Sequence, residues 1–546
     1  MTVTLYRNGS VYSPADPLAT AMLVDGGTVA WVGGEYAATS LADDSMRVID
    51  LQGALVAPGF VDSHVHVTET GVMLDSLDLR GLRSARELLD RVAEAARRAE
   101  SGDPAILGFG WDETSWAEQT LPSAAELDRA AGGREVYLSR VDVHSALVSS
   151  ALAHRLSLAE RGWLGASQVF GEINRLARAG AQALSPVARR RVQSRALQAA
   201  ARAGYVAVAE MAVGTFEAAR EDLAALMAVT EPGVEVLPYW GQLIGSADEG
   251  RAVLAELGQA GIRPLGFAGD LNVDGSLGSR TALLREDYSD QPGHRGTGYL
   301  DAGQIAAHLQ ACTELGVQGG FHVIGDAGLD RVIEGLRRAG ERLGLSALRA
   351  AGHRLEHVEM ADDASIATLA EFSVTASVQP AFDALWGGAD SLYARRLGAQ
   401  RAQGMNRFAS FFSAGIPVAL GSDAPVTPLD PWAAVAACLE HQEPGQRISA
   451  RGAFLAHTRA GWRAARQDLM LGQLVPGAPA SFAVWEVDEL MVQVADERVQ
   501  SWSTDPRSRT PLLPALDTEN RPRALATVHR GVELFDSGEL SAATRG

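Results

Sequence analysis

Apolar and polar positions along the chain fall into two textures. The first stretch alternates them in short runs, TLYRNGSVYS, AMLVDGGTVAWVGG and MRVIDLQGALVAPG. A period of two predicts strands with one buried face. The Asn8-Gly9 and Asp25-Gly26 pairs set between such runs predict hairpin turns. The same texture returns near the other end in GQLVPGAPASFAVWEVD and ALATVHRGVELFDSG, separated by a proline-rich loop around Asp505–Pro522. The expectation is one small β domain built from residues 1–57 and 470–546, bracketing a larger middle at 58–469.

That middle alternates apolar strands with helical stretches. Strands are predicted at Leu55–His66, Tyr205–Met211, Val234–Gln242, Gly266–Val273, Val317–Ile324, Arg354–Glu359, Val374–Pro380 and Pro417–Ser422. Helical patterns such as Ala302–Leu315 and Leu329–Leu343 lie between most of them. Strand–helix alternation argues for a parallel sheet, and eight such units argue for a closed (β/α)8 TIM-type barrel. The gap between the first two strands is too long for one crossover. Residues of about 68–184 are therefore expected as an insertion on the rim that carries the chemistry.

The ends of these strands carry the candidate chemistry. FVDSHVH closes the first strand, and a spacing of two points His64 and His66 to the same face. Paired imidazoles make half of a site for zinc or a similar divalent ion. GGFHVIGD closes the fifth strand with His322, RLEHVEM the sixth with His357, and ALGSDAPV the eighth with Asp423. Barrel enzymes keep their reacting groups at these strand ends. Histidines and a carboxylate converging there predict a metal site.

Composition changes the picture in three ways. Acidic residues outnumber basic ones 67 to 48, a net charge of −19, which disfavours nucleic acid and anionic membranes as partners. No apolar run of about 18 residues appears, and MTVTLYRNGSVYSP lacks the features of a signal peptide. Two cysteines cannot build a disulfide framework, so a cytoplasmic protein is expected. All 48 basic residues are arginine. Without lysine, Schiff bases, P-loop phosphate contacts and carbamylated-lysine metal bridges are excluded, because arginine stays protonated.

FVDSHVH, HVIGD, EH and GSDAPV, in this order, resemble the amidohydrolase superfamily. DGSLGSRTA at Asp274–Ala282, GFGWDETSW at Gly108–Trp116 and DVHSALVSSAL at Asp142–Leu152 resemble its amidohydrolase-3 branch, the YtcJ-like metal-dependent hydrolases. The resemblance runs over nearly the whole chain. It implies a metal-dependent hydrolase of a non-peptide carbon–nitrogen bond, in an amide, N-acyl or N-formyl group. The implied metal ligands are His64, His66, Asp270, His322, His357 and Asp423, holding one or two divalent ions, with zinc the first choice. Asp423 is expected to relay the proton of a metal-activated water, and a metal, or a histidine such as His144 or His322, to polarise the carbonyl. His144, Arg280 and Trp111 are the expected substrate contacts, Arg280 as a clamp on a carboxylate or, equally, as a member of a structural ion pair, and Trp111, like Trp116, as a pocket wall or as plain packing. Asp62 and Asp326 are candidates to orient the ligand histidines, or else to satisfy backbone amides in their loops.

The chain departs from the family pattern at three places. Many relatives have a carbamylated lysine, bridging two metals, where this chain has Asp270; Ala209 replaces a histidine and Ser481 an aspartate. A deaminase using the same site is the first alternative. A ligand-binding or regulatory protein with an inert site is the second, motivated by Asp270 and Ala209. The expected partner is a small-molecule substrate, with homodimer formation left open. The substrate itself is not encoded legibly, because fold and chemistry are separable.

Overall fold

The computed structural model describes residues 3–98, 105–229, 233–493, 502–503, 510–516 and 521–540. Eight parallel strands form its centre: β1 Phe60–Val65, β2 Tyr205–Ala212, β3 Glu235–Trp240, β4 Gly266–Phe267, β5 Gln318–Val323, β6 Arg354–His357, β7 Thr375–Val378 and β8 Val418–Leu420. β1, β2 and β3 pair in that order, as do β4 through β8. Two seams close the ring. Leu265 and Ala268 donate backbone N–H groups to Pro238 and Trp240 at one. Asp423 and His66 exchange bonds with His64 and Ala424 at the other. Helices fill the crossovers, as the sequence pattern requires. One of them, Ala302–Leu315, begins with a capping box between Asp301 and Gln304 and stops at Gly316, whose φ of 72° suits glycine.

Two strands differ from the sequence expectation. The run Leu55–His66 is split at Pro58-Gly59. Its first part, Leu55–Pro58, pairs with Phe482–Trp485 outside the barrel, and only the second part is β1. The expected strand Gly266–Val273 is interrupted: it pairs with β5 at Gly266 and Phe267, turns at Gly269, where φ is 90° and Leu271 bonds back to the glycine carbonyl, and meets β5 again at Asn272 opposite His322. A Cβ at Gly269 would stand 2.8 Å from the Met211 sulfur, so a larger residue is excluded there on two grounds.

Segments from both ends of the chain share a five-stranded sheet in the order Ser10–Val11, Leu55–Pro58, Phe482–Glu486, Arg523–His529, Val532–Asp536. A second sheet orders Thr28–Gly33, Ala21–Asp25, Thr4–Arg7 and Arg47–Asp50. Asp25-Gly26 does turn a hairpin between Ala21–Asp25 and Thr28–Gly33. Asn8-Gly9 does not: the strands on either side of it belong to different sheets, so the pair is a crossing point. Phe60 at the start of β1 meets Trp432, Phe454 and Trp485 edge-on, which joins the barrel floor to the shared sheet. Most of the proline-rich loop expected around Asp505–Pro522 lies outside the described residues.

Between β1 and β2 the chain builds a further five-stranded sheet, with Ile106–Trp111 and Val136–Arg140 at its middle. Its loop Val141–His144 reaches over the barrel mouth. No helix among the described residues is long and apolar enough to cross a membrane.

Candidate metal centre

Six side chains from five strand ends meet in the barrel mouth. β1 delivers His64 and, one step beyond it, His66; the segment after β4 delivers Asp270; β5 and β6 deliver His322 and His357; the turn after β8 delivers Asp423. Asp423 Oδ1 lies 3.3 Å from His64 Nε2 and 3.4 Å from His66 Nε2. Asp270 stands in the middle: its Oδ2 is 3.1 Å from His66 Nε2, while Oδ1 is 3.5 Å from His64 Nε2 and 3.6 Å from His322 Nδ1. His357 Nε2 is 4.0 Å from that same Oδ1.

Backbone geometry explains how a short aspartate reaches so far. The tight turn at Gly269 tips Asp270 out of the β4 line toward the barrel axis. Asp423 itself has φ of 54°, and its N–H donates to the His64 carbonyl at 2.8 Å, so the turn is pinned to β1. His357 and Val358 have φ of 72° and 49° at the end of β6. A β-branched residue in this region is strained, and such strain gathers at functional sites.

Each histidine is fixed from behind. Glu356 accepts from Nδ1 of His64 at 3.0 Å and is itself gripped by Arg354, at 2.6 and 2.9 Å. Gln379 Oε1 lies 2.8 Å from Nδ1 of His357, and the Gly275 carbonyl 3.2 Å from Nε2 of His322. These partners set the tautomers, leaving His64 and His357 to present Nε2 and His322 to present Nδ1. Burial works against charge on His64, but Asp423 and Asp270 beside it overcome that and raise its pKa to about 10. Burial likewise opposes charge on Asp270, yet His64 and His66 hold its carboxyl well below the usual range. Burial and the neighbouring His322 together push His357 down to about 3.

The donor set fits a divalent metal. Among the described residues, His64 Nε2 and Asp270 Oδ1 are both buried with no hydrogen-bond partner, and they lie 3.5 Å apart. Such orphaned atoms are costly unless something completes them. Donors placed about 2.1 Å from a tetrahedral ion stand about 3.4 Å apart, which matches the spacing of Asp423 Oδ1 from His64 and from His66. Imidazole and carboxylate together suit zinc and its first-row neighbours.

In front of the cluster opens a cavity of about 500 Å³, counting its mouth. His144 lines it, with its ring 5.4 Å from that of His322. Burial, and then His322, lower its pKa to about 4. The loop carrying it is locked down by Asp142, whose Oδ2 accepts from Ser276 and Ser279 at 2.8 Å each and pairs with Arg140. Gly278 lies so close that a Cβ there would meet Arg140 and Asp142 at about 2.5 Å. The DVHS and DGSLGS stretches are therefore one packed unit over the cavity.

Some expected residues fall elsewhere. Arg280 is not among the residues that line the cavity and forks onto Asp290 at 2.9 and 3.1 Å, the structural ion pair that the sequence left open. Trp111 is fully buried in the core of the inserted sheet, donating to the Leu138 carbonyl, and Trp116 packs beside it. Asp62 orients no imidazole; it accepts from Ser422 and from the His64 N–H, tying β1 to β8. Asp326 accepts backbone N–H groups of Arg285 and Ala327. Ala209 packs among Val61, Val206 and Met211 in an apolar cluster, where a metal-binding histidine has no counterpart. Cys312 and Cys438 are free, fully buried thiols whose pKa burial pushes up. Sequence reasoning passed over Glu356, although it stands directly before His357 in the EH pair.

Comparison with known proteins agrees with this architecture. The model of the "Amidohydrolase family" matches residues 47–535. The chain belongs to the amidohydrolase family. This amidohydrolase is 28% identical over 524 residues to "Protein LONG AFTER FAR-RED 3" of Arabidopsis thaliana, covering 88% of the chain and 86% of that protein. It is 25% identical to the "Putative amidohydrolase YtcJ" of Bacillus subtilis, covering 90% of the chain and 96% of the relative. Among solved structures, an uncharacterized metal-dependent hydrolase of Pyrococcus furiosus is 26% identical, with a TM-score of 0.68 over 88% of this chain and 98% of its own. The amidohydrolase thus shares a barrel with an extra domain with a protein described as metal-dependent.

Proposed function

We propose that this amidohydrolase is a metal-dependent hydrolase that cleaves a non-peptide carbon–nitrogen bond of a small molecule, in an amide, N-acyl or N-formyl group. The carrying observation is the pair of buried, unpartnered donors, His64 Nε2 and Asp270 Oδ1, set 3.5 Å apart within a ring of further donors. His64, His66 and Asp423 would hold one divalent ion, and Asp270, His322 and His357 supply the donors that a second would need. Zinc suits this donor set best.

A divalent ion bound here lowers the pKa of water to about 7 and so makes a nucleophile available at neutral pH. The residues do the rest. Asp423 takes the proton of the attacking water on a carboxylate oxygen, then passes it to the leaving nitrogen. His144, neutral at pH 7 because of its burial, places a ring nitrogen in the cavity, where it hydrogen-bonds the substrate carbonyl. The Val141–His144 loop and the walls at Phe382 and Trp386 limit water around the reacting bond. The shared sheet of the chain ends serves as a separate small β domain, from 1–57 and 470–546, supporting the barrel floor.

The test is metal analysis joined to product analysis. Purified protein is expected to hold about one or two zinc ions per chain, by analogy with catalytic zinc sites. His64→Ala with His66→Ala removes most of them. On a panel of N-formyl and N-acyl amines, the expected products are a carboxylate and an amine. Release of ammonia with the rest of the substrate retained would instead establish the deaminase, and full metal occupancy in the double variant would refute the site.

A further inference from the structure

The cavity contains a carboxyl group that this chemistry does not use. Glu359 stands two residues after His357, is only 3% exposed, and lines the cavity with the metal-centre side chains. Its Oε2 accepts a 2.5 Å hydrogen bond from the Tyr393 hydroxyl. Among the described residues no hydrogen-bond donor meets its Oε1. Among the described residues no arginine lines the cavity. Beside the carboxyl stand Phe382 and Trp386, with ring centroids 4.8 Å apart, and Tyr393, 6.3 Å from Trp386.

A buried acceptor with one oxygen satisfied and one open is poorly solvated unless the cavity's occupant completes it. An aromatic wall beside it favours a flat, apolar body. We propose that Glu359, steadied by Tyr393, determines substrate specificity by accepting a hydrogen bond from an amine or amidine N–H on the part of a flat substrate that is not cleaved. A carboxylate in that place would find no arginine to pair with among the described residues that line the cavity. The substrate class is therefore an amide of an aromatic or similarly flat compound that carries a second nitrogen donor, and acidic N-acyl compounds are rejected. Discrimination of this kind is strong because the site's own polar group is left unpaired by the wrong ligand. The inference rests on the metal-centre reading, since the metal fixes the other end of the ligand.

The experiment uses benzohydroxamic acids as probes, because a hydroxamate chelates the metal and fixes one end of every probe alike. Binding of the unsubstituted, 4-aminomethyl, 4-methyl and 4-carboxy forms to the zinc-loaded full chain is measured by calorimetry. The 4-aminomethyl probe is expected to bind at least about tenfold more tightly than the 4-methyl probe, and the 4-carboxy probe at least about tenfold more weakly, on the scale of one charge-assisted hydrogen bond. In Glu359→Gln the amide oxygen keeps the Tyr393 hydroxyl and the NH2 faces the cavity, so the spread collapses or inverts while the unsubstituted probe binds as before. Should that variant not fold, Glu359→Asp is read instead, where the withdrawn oxygen must shrink the aminomethyl advantage. A flat order in the wild type, or an unchanged order in the variants, overturns the proposal. If the unsubstituted probe binds no better with zinc than without it, the metal centre itself is misplaced and the proposal falls with it.

Discussion

Glu356 Oε2 lies 3.0 Å from Nδ1 of His64, and both side chains are fully buried. Burial opposes the charge of Glu356, but the Arg354 guanidinium holds its pKa at about 2. The carboxylate therefore stays an acceptor at neutral pH and fixes the proton of His64 on Nδ1. Nε2, which faces Asp270 and Asp423, is the nitrogen that would be offered to a metal; without one, those two carboxylates favour a proton there. Arg354 also donates to the Ser63 carbonyl at 2.6 Å, so the same arginine positions the backbone next to the ligand.

Glu356→Gln is the sharpest probe of that arrangement. The amide keeps the shape but loses the charge that pairs Arg354. Zinc affinity, measured by competition with a chelator, is expected to fall by about 10- to 100-fold, the usual cost of removing a partner behind a ligand. Tm should fall as well, because breaking a buried ion pair costs about 3–5 kcal/mol. Unchanged zinc affinity would show that His64 needs no such partner.

Asp423→Asn separates chemistry from metal binding. The amide oxygen still faces His64 and His66, so metal content is expected to persist at least in part. Turnover should drop by about 10² or more, the scale of a lost general base. Near-normal turnover in a metal-loaded variant would remove Asp423 as the proton carrier.

The legible part of the molecule is the part governed by short-range rules. The His64–His66 spacing fixes a shared face on any strand, and the structure does bring both rings against Asp423. His322 and His357 were readable for the same reason, since each closes an apolar run. What escaped depends on the path of the backbone. Gly266–Val273 reads as a strand by composition, yet Gly269 bends it, and that bend is what carries Asp270 inward. Pro58-Gly59 was a visible break inside Leu55–His66, but nothing local says that the first half pairs with Phe482, more than 400 residues away. Arg280 sits in a stretch that lies against the cavity, and only its rotamer decides that it pairs with Asp290. Glu356 and Glu359 both lie in RLEHVEM. Their roles depend on Arg354, His64 and Tyr393, which no spacing rule connects.

His457 yields a prediction about pH. It is fully buried near Phe60 and Tyr205, neither ring nitrogen has a hydrogen-bond partner, and burial alone lowers its pKa to about 3. The unfolded chain takes up this proton near pH 6.5 and the folded chain does not. Folding is therefore penalised as pH falls below about 6.5, by about 1.4 kcal/mol per pH unit down to the folded pKa. His457→Phe removes this penalty and keeps an aromatic ring in the site. The Tm of the variant minus that of the wild type should grow steadily from pH 7 to pH 5. A gap independent of pH would mean that the folded protein accommodates the imidazolium.

Asp270 is the residue on which the number of metals turns. Its two oxygens face different histidines, Oδ2 toward His66 and Oδ1 toward His64, His322 and His357. A carbamylated lysine has to be built from carbon dioxide, whereas an encoded aspartate needs only to be deprotonated. Burial resists that ionisation, but the neighbouring His64 and His66 keep the carboxyl well below its ordinary value. Reconstitution of the metal-free protein with zinc is therefore expected to be indifferent to bicarbonate. Asp270→Ala should lose one metal where two are bound, since a donor that the second ion would need is gone. Asp270→Asn should fall between, keeping one neutral oxygen. Asp270→Lys should fail as a rescue even with bicarbonate, because Gly269 has already carried the backbone inward and the longer side chain overshoots toward His322 and His357. Metal stoichiometry and activity, with and without bicarbonate, read all four forms. Full stoichiometry and activity in both Asp270→Ala and Asp270→Asn would eliminate the bridge and leave a single ion on His64, His66 and Asp423.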